Sequence, residues 1–427
     1  MKKTAIKSVA ARQLLDCGCR PMVEVDVITE DGTVGRGSAP TGSSVGMHEA
    51  FVLRDGDPAQ YNGLSVHKAV RNVEDIIAPS LIGMDVTDQS AIDETMASLD
   101  GTKDKSRLGG NAIGSVSIAC LRAAAATQGM SAYRYIAGGE IRTVPIPSFN
   151  VINGGRYGEI TLAFNEFLLV PYKAENIEQA VEIGISVFKE LKNVIGAYLG
   201  KEPSVARSYG WAAPSEDPEA VLGLMEKAAA RCGYGDSVAF AIDCASGEMY
   251  DKKSDTYCLK GKRVTADELI EYTDRLSRQF PLVFVEDLLQ EDDWEGYQRA
   301  VRKIKNTAVI GDDLTVTNLE RIRRAHEMKA IDGFIFKPNQ VGSITEALEA
   351  HAFAMRHGLF AIPSGRAGGV IDDVVMDLAV GLQVPLIKNG APRSGERIGK
   401  LNFLLRAAGL APDCRLSRLS GIVKFTA

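Results

Sequence analysis

The chain has 427 residues, 45% hydrophobic and 24% charged, with 42 glycines and 16 prolines. That balance excludes a disordered, collagen-like or coiled-coil protein, and the length calls for a large barrel or open sheet with a smaller partner domain. With 49 basic against 55 acidic residues the formal net charge is −6. No overall field draws the chain to nucleic acid or an anionic membrane, so anionic substrates have to be held by local cations or metals.

The opening MKKTAIKSVAARQ begins with lysines, but Lys7 and Arg12 interrupt any apolar signal-peptide core, so it reads as a strand. Val23, Val25, Val27 and Ile28, then Thr33 to Ser38, flank the turn dipeptide Asp31-Gly32 and predict a hairpin. The run Pro40-Thr41-Gly42-Ser43-Ser44-Val45-Gly46 reads as a mobile lid or as a plain loop. Apolar residues Val66, Ala69, Val70, Val73, Ile76 and Ile77 predict an amphipathic helix from Ser65 to Ile77 that ends before Pro79. Ala112 to Gln128 is a helix rich in small residues, with Gly129 placed to end it. Strands first and helices after make the first third an α+β unit.

From about residue 145 short apolar runs end in polar residues and are followed by helical stretches. They are VAFAID (238–243), LVFVED (282–287), AVIGDD (308–313), GFIFKPN (333–339), LFAIPSG (359–365) and PLIKNG (385–390). Their polar ends recur about every 25 residues, the length of a strand, turn, helix and return loop, which implies a parallel β/α barrel. An open doubly wound sheet is the alternative; the barrel is preferred because it gathers the polar strand ends at one mouth. No apolar run reaches about 18 residues, so no membrane span is expected. The seven cysteines (17, 19, 120, 232, 244, 258 and 414) stand mostly singly in apolar context, which reads as reduced thiols and a cytoplasmic location.

Asp243, Glu286 and Asp312 each close a buried strand, so a barrel brings three carboxylates to one point. Unpaired they would repel and resist desolvation, and all-oxygen ligands favour magnesium or manganese over zinc. Capping of helices or pairing with Arg and Lys is the bland alternative for any one of them. Lys337 and Lys388 close later strands; a lysine in a dry pocket loses its charge readily and can act as a base. Beside a cation, that chemistry is proton abstraction next to a carboxylate. A salt bridge to a neighbouring acid is the alternative for either lysine. Arg366, among Gly365, Gly368 and Gly369, suits a phosphate or phosphonate oxyanion, or else is a surface arginine in a flexible loop.

Several stretches, in order, carry a resemblance over nearly the whole chain: VEVDVITEDG, SSVGMHEAFVLRDGD, LDGTKDKSRLGGNAIGSVS, FNVINGG, EDDWEGY, GDDLTVTN, KPNQVGSITEALEA and IKNGAP. Together they resemble the enolases (phosphopyruvate hydratases), whose superfamily is known for a Lys or His base with magnesium. The resemblance implies an α+β capping domain over residues 1–140 and a modified β/α (TIM-like) barrel over 141–427, a homodimer and two magnesium ions. Its substrate would be a phosphorylated hydroxy acid of the 2-phosphoglycerate type, deprotonated to a magnesium-stabilised enediolate. Carried over by motif, Asp243, Glu286 and Asp312 match the metal ligands, and Ser44 the lid serine that reaches the second metal. Lys337 matches the general base, Arg366 the arginine on substrate phosphate, and Lys388 the lysine on substrate carboxylate. Glu166, in NEFLLVP, matches the acid beside the leaving hydroxyl.

The departures fall on the leaving-group side. The glutamate of the family's DEGGFAP segment is replaced near Ser208, with Glu216 the nearest acid downstream; the SHAG histidine becomes Tyr157, and the SHRSGE histidine becomes Gly365. The Gln preceding the family's Glu is Asn165 here, and Cys17-Gly18-Cys19-Arg20 replaces the usual DSRGNP. Losing a general acid costs about 10²–10⁴-fold in rate. The pattern therefore points to a divergent paralogue that retains metal, carboxylate and phosphate binding with altered chemistry at the β-carbon. A working hydratase using Glu166 or Glu216 is one outcome, and an enzyme similar to the carboxyphosphonoenolpyruvate synthases of phosphinothricin-type pathways is the alternative. A non-catalytic binding protein on the same scaffold would not need Lys337 and all three carboxylates.

Overall fold

The computed structural model describes residues 2–42, 46–155, 164–367 and 369–425. Near the N-terminus three antiparallel strands, β1 (Ile6–Leu15), β2 (Pro21–Thr29) and β3 (Val34–Ser38), form a meander. On β2, Val23, Val25 and Val27 are fully buried while Glu24 and Asp26 alternate outward, where Arg12 and Arg36 pair with them. The predicted hairpin turn is present: Gly32 takes φ +85°, and the Asp31 carboxylate accepts the Thr29 hydroxyl and Thr33 N–H.

The buried face of the meander carries the helix Gly110–Thr127. The approach is close because β3 presents glycine: a Cβ on Gly35 would lie 2.2 Å from the Ala119 carbonyl oxygen, and one on Gly37 2.3 Å from that of Ser115. The predicted helix from Ser65 runs further than expected. It has α-helical turns over His67–Asn72, a π-helical turn over Val73–Ile77 and a last turn over Ala78–Leu81 that contains Pro79. The widened turn explains why proline is tolerated, since Pro79 lacks an N–H and its ring crowds the carbonyl four residues back.

The second region is a closed sheet. In spatial order its strands are Ile146–Asn153, Glu166–Val170, Ala239–Asp243, Leu282–Glu286, Ala308–Gly311, Gly333–Phe336, Phe360–Pro363 and Leu386–Lys388. The last pairs with the first, and a parallel bridge between Ser364 and Lys388 joins the remaining ends. This is a barrel, and every apolar run read as a barrel strand becomes one. Side chains alternate along each strand, so Ala239 and Ala241 share the face of Asp243 while Phe240 and Ile242 pack outward. Helices follow the later strands, and several start on side-chain caps, among them Asn176, Asp217, Asn318 and Ser343.

The expectation of an all-parallel barrel needs one correction. Glu166–Val170 runs antiparallel to both neighbours, so its first residue, not its last, lies at the mouth, and Glu166 pairs in register with Asp243.

Candidate active site at the barrel mouth

Lys388, the last residue of the eighth barrel strand, organises the site. Its ammonium lies 2.6 Å from Glu286 Oε2, 3.1 Å from Asp243 Oδ2 and 3.5 Å from Glu166 Oε2. Lys337, one residue past its strand, pairs with Asp312, whose other oxygen accepts the Gln340 side-chain N–H at 2.9 Å. A cavity of about 90 Å³ lies between these groups and is lined by Glu166, Asp243, Asp312, Lys337, Arg366 and Lys388. The structure thus brings together all the sequence-predicted site residues except Ser44, which lies outside the described residues, as does Tyr157.

Burial works to strip both lysines of their protons, yet the carboxylates outweigh it. Asp243, Glu286 and Glu166 hold Lys388 well above the ordinary lysine range, and Asp312 does the same for Lys337 to a lesser degree. Lys337 thus adopts the alternative read from the sequence, an ion pair with a neighbouring acid, and Asp312 holds its pKa above the ordinary lysine value. Burial raises Asp312 too, but Lys337 prevails and the carboxyl ends below its usual value. Burial first, then Asp243, drives Glu286 well upward; burial also raises Glu166 against the pull of Lys388.

Two acids that sequence reasoning passed over also sit here. Ligand oxygens of Asp287, Asp312 and Asp313 lie within 4.8 Å of one another. Asp287 is occupied as a brace: its two oxygens accept the backbone N–H groups of Asp312 and Asp313, each at 2.8 Å. Burial and the adjacent Asp312 push Asp313 up to about 7. The doublets Glu286-Asp287 and Asp312-Asp313 were the available signal, because adjacent residues beyond a strand take different faces.

The donor set fits a hard divalent cation. All the candidate ligands are oxygens, and acids outnumber the two lysines. Glu286 holds Lys388 through one oxygen only; the other, Oε1, is buried without a hydrogen-bond partner.

Arg366 differs from expectation. Its guanidinium is clasped by Glu49 of the N-terminal region, at 2.7 and 3.1 Å, and the pair is buried. Burial would lower its pKa, but Glu49 more than compensates. Gly42 packs so closely that a Cβ there would stand 2.5 Å from the guanidinium, which places Gly42 over Arg366 at the barrel mouth. Glu49 lies within the stretch SSVGMHEAFVLRDGD, but the sequence assigned it no role.

Among the positions that depart from the family motifs, Ser208 is buried and its carbonyl oxygen accepts Arg397 Nη1–H at 2.6 Å. Gly365 borders Lys400, and Asn165 Oδ1 is buried without a partner. Arg397 and Lys400 are further residues that sequence reasoning missed.

Comparison with known proteins agrees with this architecture. Residues 6–136 match the family model described as "Enolase, N-terminal domain", and 141–411 match "Enolase, C-terminal TIM barrel domain". The chain is 43% identical to the protein named enolase of Methanopyrus kandleri, over 94% of this chain and 95% of that one. It is 40% identical to that of Methanocaldococcus jannaschii and 39% to that of Methanococcus maripaludis strain S2, in each case over 97% of both chains. The chain belongs to the enolase family.

Proposed function

We propose that this enolase-like carbon–oxygen lyase removes the proton next to the carboxylate of a phosphorylated hydroxy acid of the 2-phosphoglycerate type, in a magnesium-dependent reaction. Supporting this reading is the convergence of two lysines and an acid-rich oxygen set at one barrel mouth, with Glu286 Oε1 left unpartnered. Asp243, Glu286 and Asp312, with Ser44 from the lid run, would hold the metal, two ions in the full site. Bound magnesium supplies the positive charge that stabilises the doubly negative carboxylate as the proton leaves.

Lys337 is the base in this account, and it becomes one only when the negative charge of Asp312 is engaged elsewhere, because that ion pair otherwise keeps it protonated. Lys388 holds the substrate carboxylate in place. Arg366 takes the phosphate by exchanging one buried anion, Glu49, for another. Glu166, raised by burial, stands as the acid beside the departing hydroxyl. Residues 1–140 serve as the cap and 141–427 as the catalytic barrel, in a cytoplasmic homodimer. The free state of all seven cysteines accords with a reducing location, and no helix of the described residues is long and apolar enough to cross a membrane.

A second reading, a carboxyphosphonoenolpyruvate synthase-like activity, draws on the non-acidic Ser208 and Gly365 on the side where hydroxide would leave. Phosphorus NMR of the protein with magnesium and 2-phosphoglycerate separates the two. Slow phosphoenolpyruvate formation is expected, abolished by EDTA and reduced about 10²–10⁴-fold or more by Lys337→Ala. No turnover by a folded, magnesium-binding protein would reject the hydratase and favour the second reading.

A further inference from the structure

Behind Glu166 and Lys388 the mouth continues into a second cavity, of about 50 Å³. Lys337 lines the first cavity and not this one, so the second lies away from the base. Its remaining wall includes Asn150, Ser208, Gly365, Asn389, Arg397 and Lys400. Two small residues make room for it. Ser208 is short, and Gly365 has no side chain where a Cβ would already stand 3.0 Å from Lys400 Nζ.

The polar groups facing this space are built but unused. Asn389 is fully buried, its backbone N–H is fixed on the Ser148 carbonyl at 2.9 Å, and neither its side-chain oxygen nor its nitrogen has a partner. Asn150, 1% exposed, likewise has an unpartnered amide nitrogen. Buried amides left unpaired are costly, and native structures fill them with a ligand or water.

The charge lining the cavity is mostly positive. Arg397 and Lys400, three apart on the helix Gly395–Gly409, are both buried. Arg397 is locked by Ser208 and by Glu396 Oε1 at 3.0 Å, whereas Lys400 Nζ stands 3.4 Å from Glu396 Oε2. Lys388 and Arg366 add to the positive lining, and Glu166 is the one acid among the described residues that line it; Glu396 and Asp373 behind it offset part of the charge.

We propose that this cavity is a substrate subsite for an anionic oxygen group, carboxylate or phosphonyl, carried beside the departing hydroxyl on the carbon next to the one deprotonated. The inference rests on the reaction proposed above and names its substrate class: a phosphorylated acid with a third anionic group. Lys400 and the Asn389 and Asn150 amides supply the donors. The same amides would go unsatisfied beneath a plain hydroxymethyl group, unless water filled the space.

Calorimetric titration of the full chain with magnesium tests this, using 2-phosphoglycerate, 2-phosphomalate and 2-phosphonooxy-3-phosphonopropionate. The last two carry a carboxylate or a phosphonyl in place of the hydroxyl, so they lack a leaving group and bind without turning over. One of them should bind about 10- to 100-fold tighter than 2-phosphoglycerate, the span of one charge-assisted hydrogen bond. Lys400→Gln and the isosteric Asn389→Asp should each bring that ratio to within about threefold, with unchanged circular dichroism. An unmodified protein with no preference, or a ratio that survives both substitutions, would overturn the subsite and leave the cavity to water. Binding of 2-phosphoglycerate alone would reject the subsite and spare the reaction. Failure to bind any of the three would remove both.

Discussion

At the scale of single residues, His351 shows how burial alone sets a property. It lies on the helix Ile344–Arg356 with its ring 5.8 Å from that of Phe336, its Nε2 buried and unpartnered, and burial lowers its pKa to about 4. The unfolded chain binds a proton near pH 6.5 while the native one does not, so stability from this residue is complete above that value. It is lost as pH falls towards 4. By pH 5 the loss is about 2 kcal/mol, and His351→Gln should remove that part of the acid dependence in urea midpoints measured at pH 7 and pH 5. An unchanged dependence would place the titration elsewhere. The site residues differ in how far the sequence discloses them. Asp243, Glu286, Asp312, Lys337 and Lys388 were legible because each closes an apolar run of strand length. Arg397 and Lys400 were not, because they join the site through long-range packing that no local pattern marks, and Glu49 and Asn389 sit in quoted motifs that gave them no role.

Among elements, the contact between β3 and the helix Gly110–Thr127 is governed by the missing side chains of Gly35 and Gly37. Gly37→Ala puts a methyl 2.3 Å from a backbone carbonyl that cannot swing away, and should cost about 2 kcal/mol or more in denaturant midpoint stability. Gly223 is the contrast, inside the helix Pro218–Arg231 with nothing within 4 Å of an added Cβ. There Gly→Ala should stabilise by about 0.5–1 kcal/mol. The capping box of Thr265 and Glu268 at the start of Ala266–Gln279 predicts a loss of about 1 kcal/mol for Thr265→Ala, read the same way. Element identity was well disclosed by periodicity. Two features escaped it: the continuation of the 67–81 helix through Pro79, which depends on a π-turn, and the reversed strand Glu166–Val170. An apolar run of five carries no direction, so only its neighbours' hydrogen bonds reveal that Glu166 faces the mouth from the strand's beginning.

For the whole molecule, the N-terminal region and the barrel meet through polar contacts: Arg366 with Glu49 at the mouth, and elsewhere Asp93 accepting the Thr345 N–H and hydroxyl. A cation bound among Asp243, Glu286 and Asp312 would therefore favour the assembled fold. Saturating magnesium should raise the melting temperature through about 2–3 kcal/mol at 100 times its Kd, and Asp312→Asn should abolish the shift; an equal shift in the variant would put the ion elsewhere. Removal by Lys337 of the proton next to a carboxylate can be followed as deuterium entering C2 of 2-phosphoglycerate in D₂O with magnesium. Exchange requires only the base and the cation, so it is independent of the altered leaving-group side. Exchange should proceed even where phosphoenolpyruvate forms slowly, and should vanish with EDTA and with Lys337→Ala. Absence of exchange in a folded protein that binds both magnesium and 2-phosphoglycerate, or exchange that persists in Lys337→Ala, would contradict Lys337 as the base.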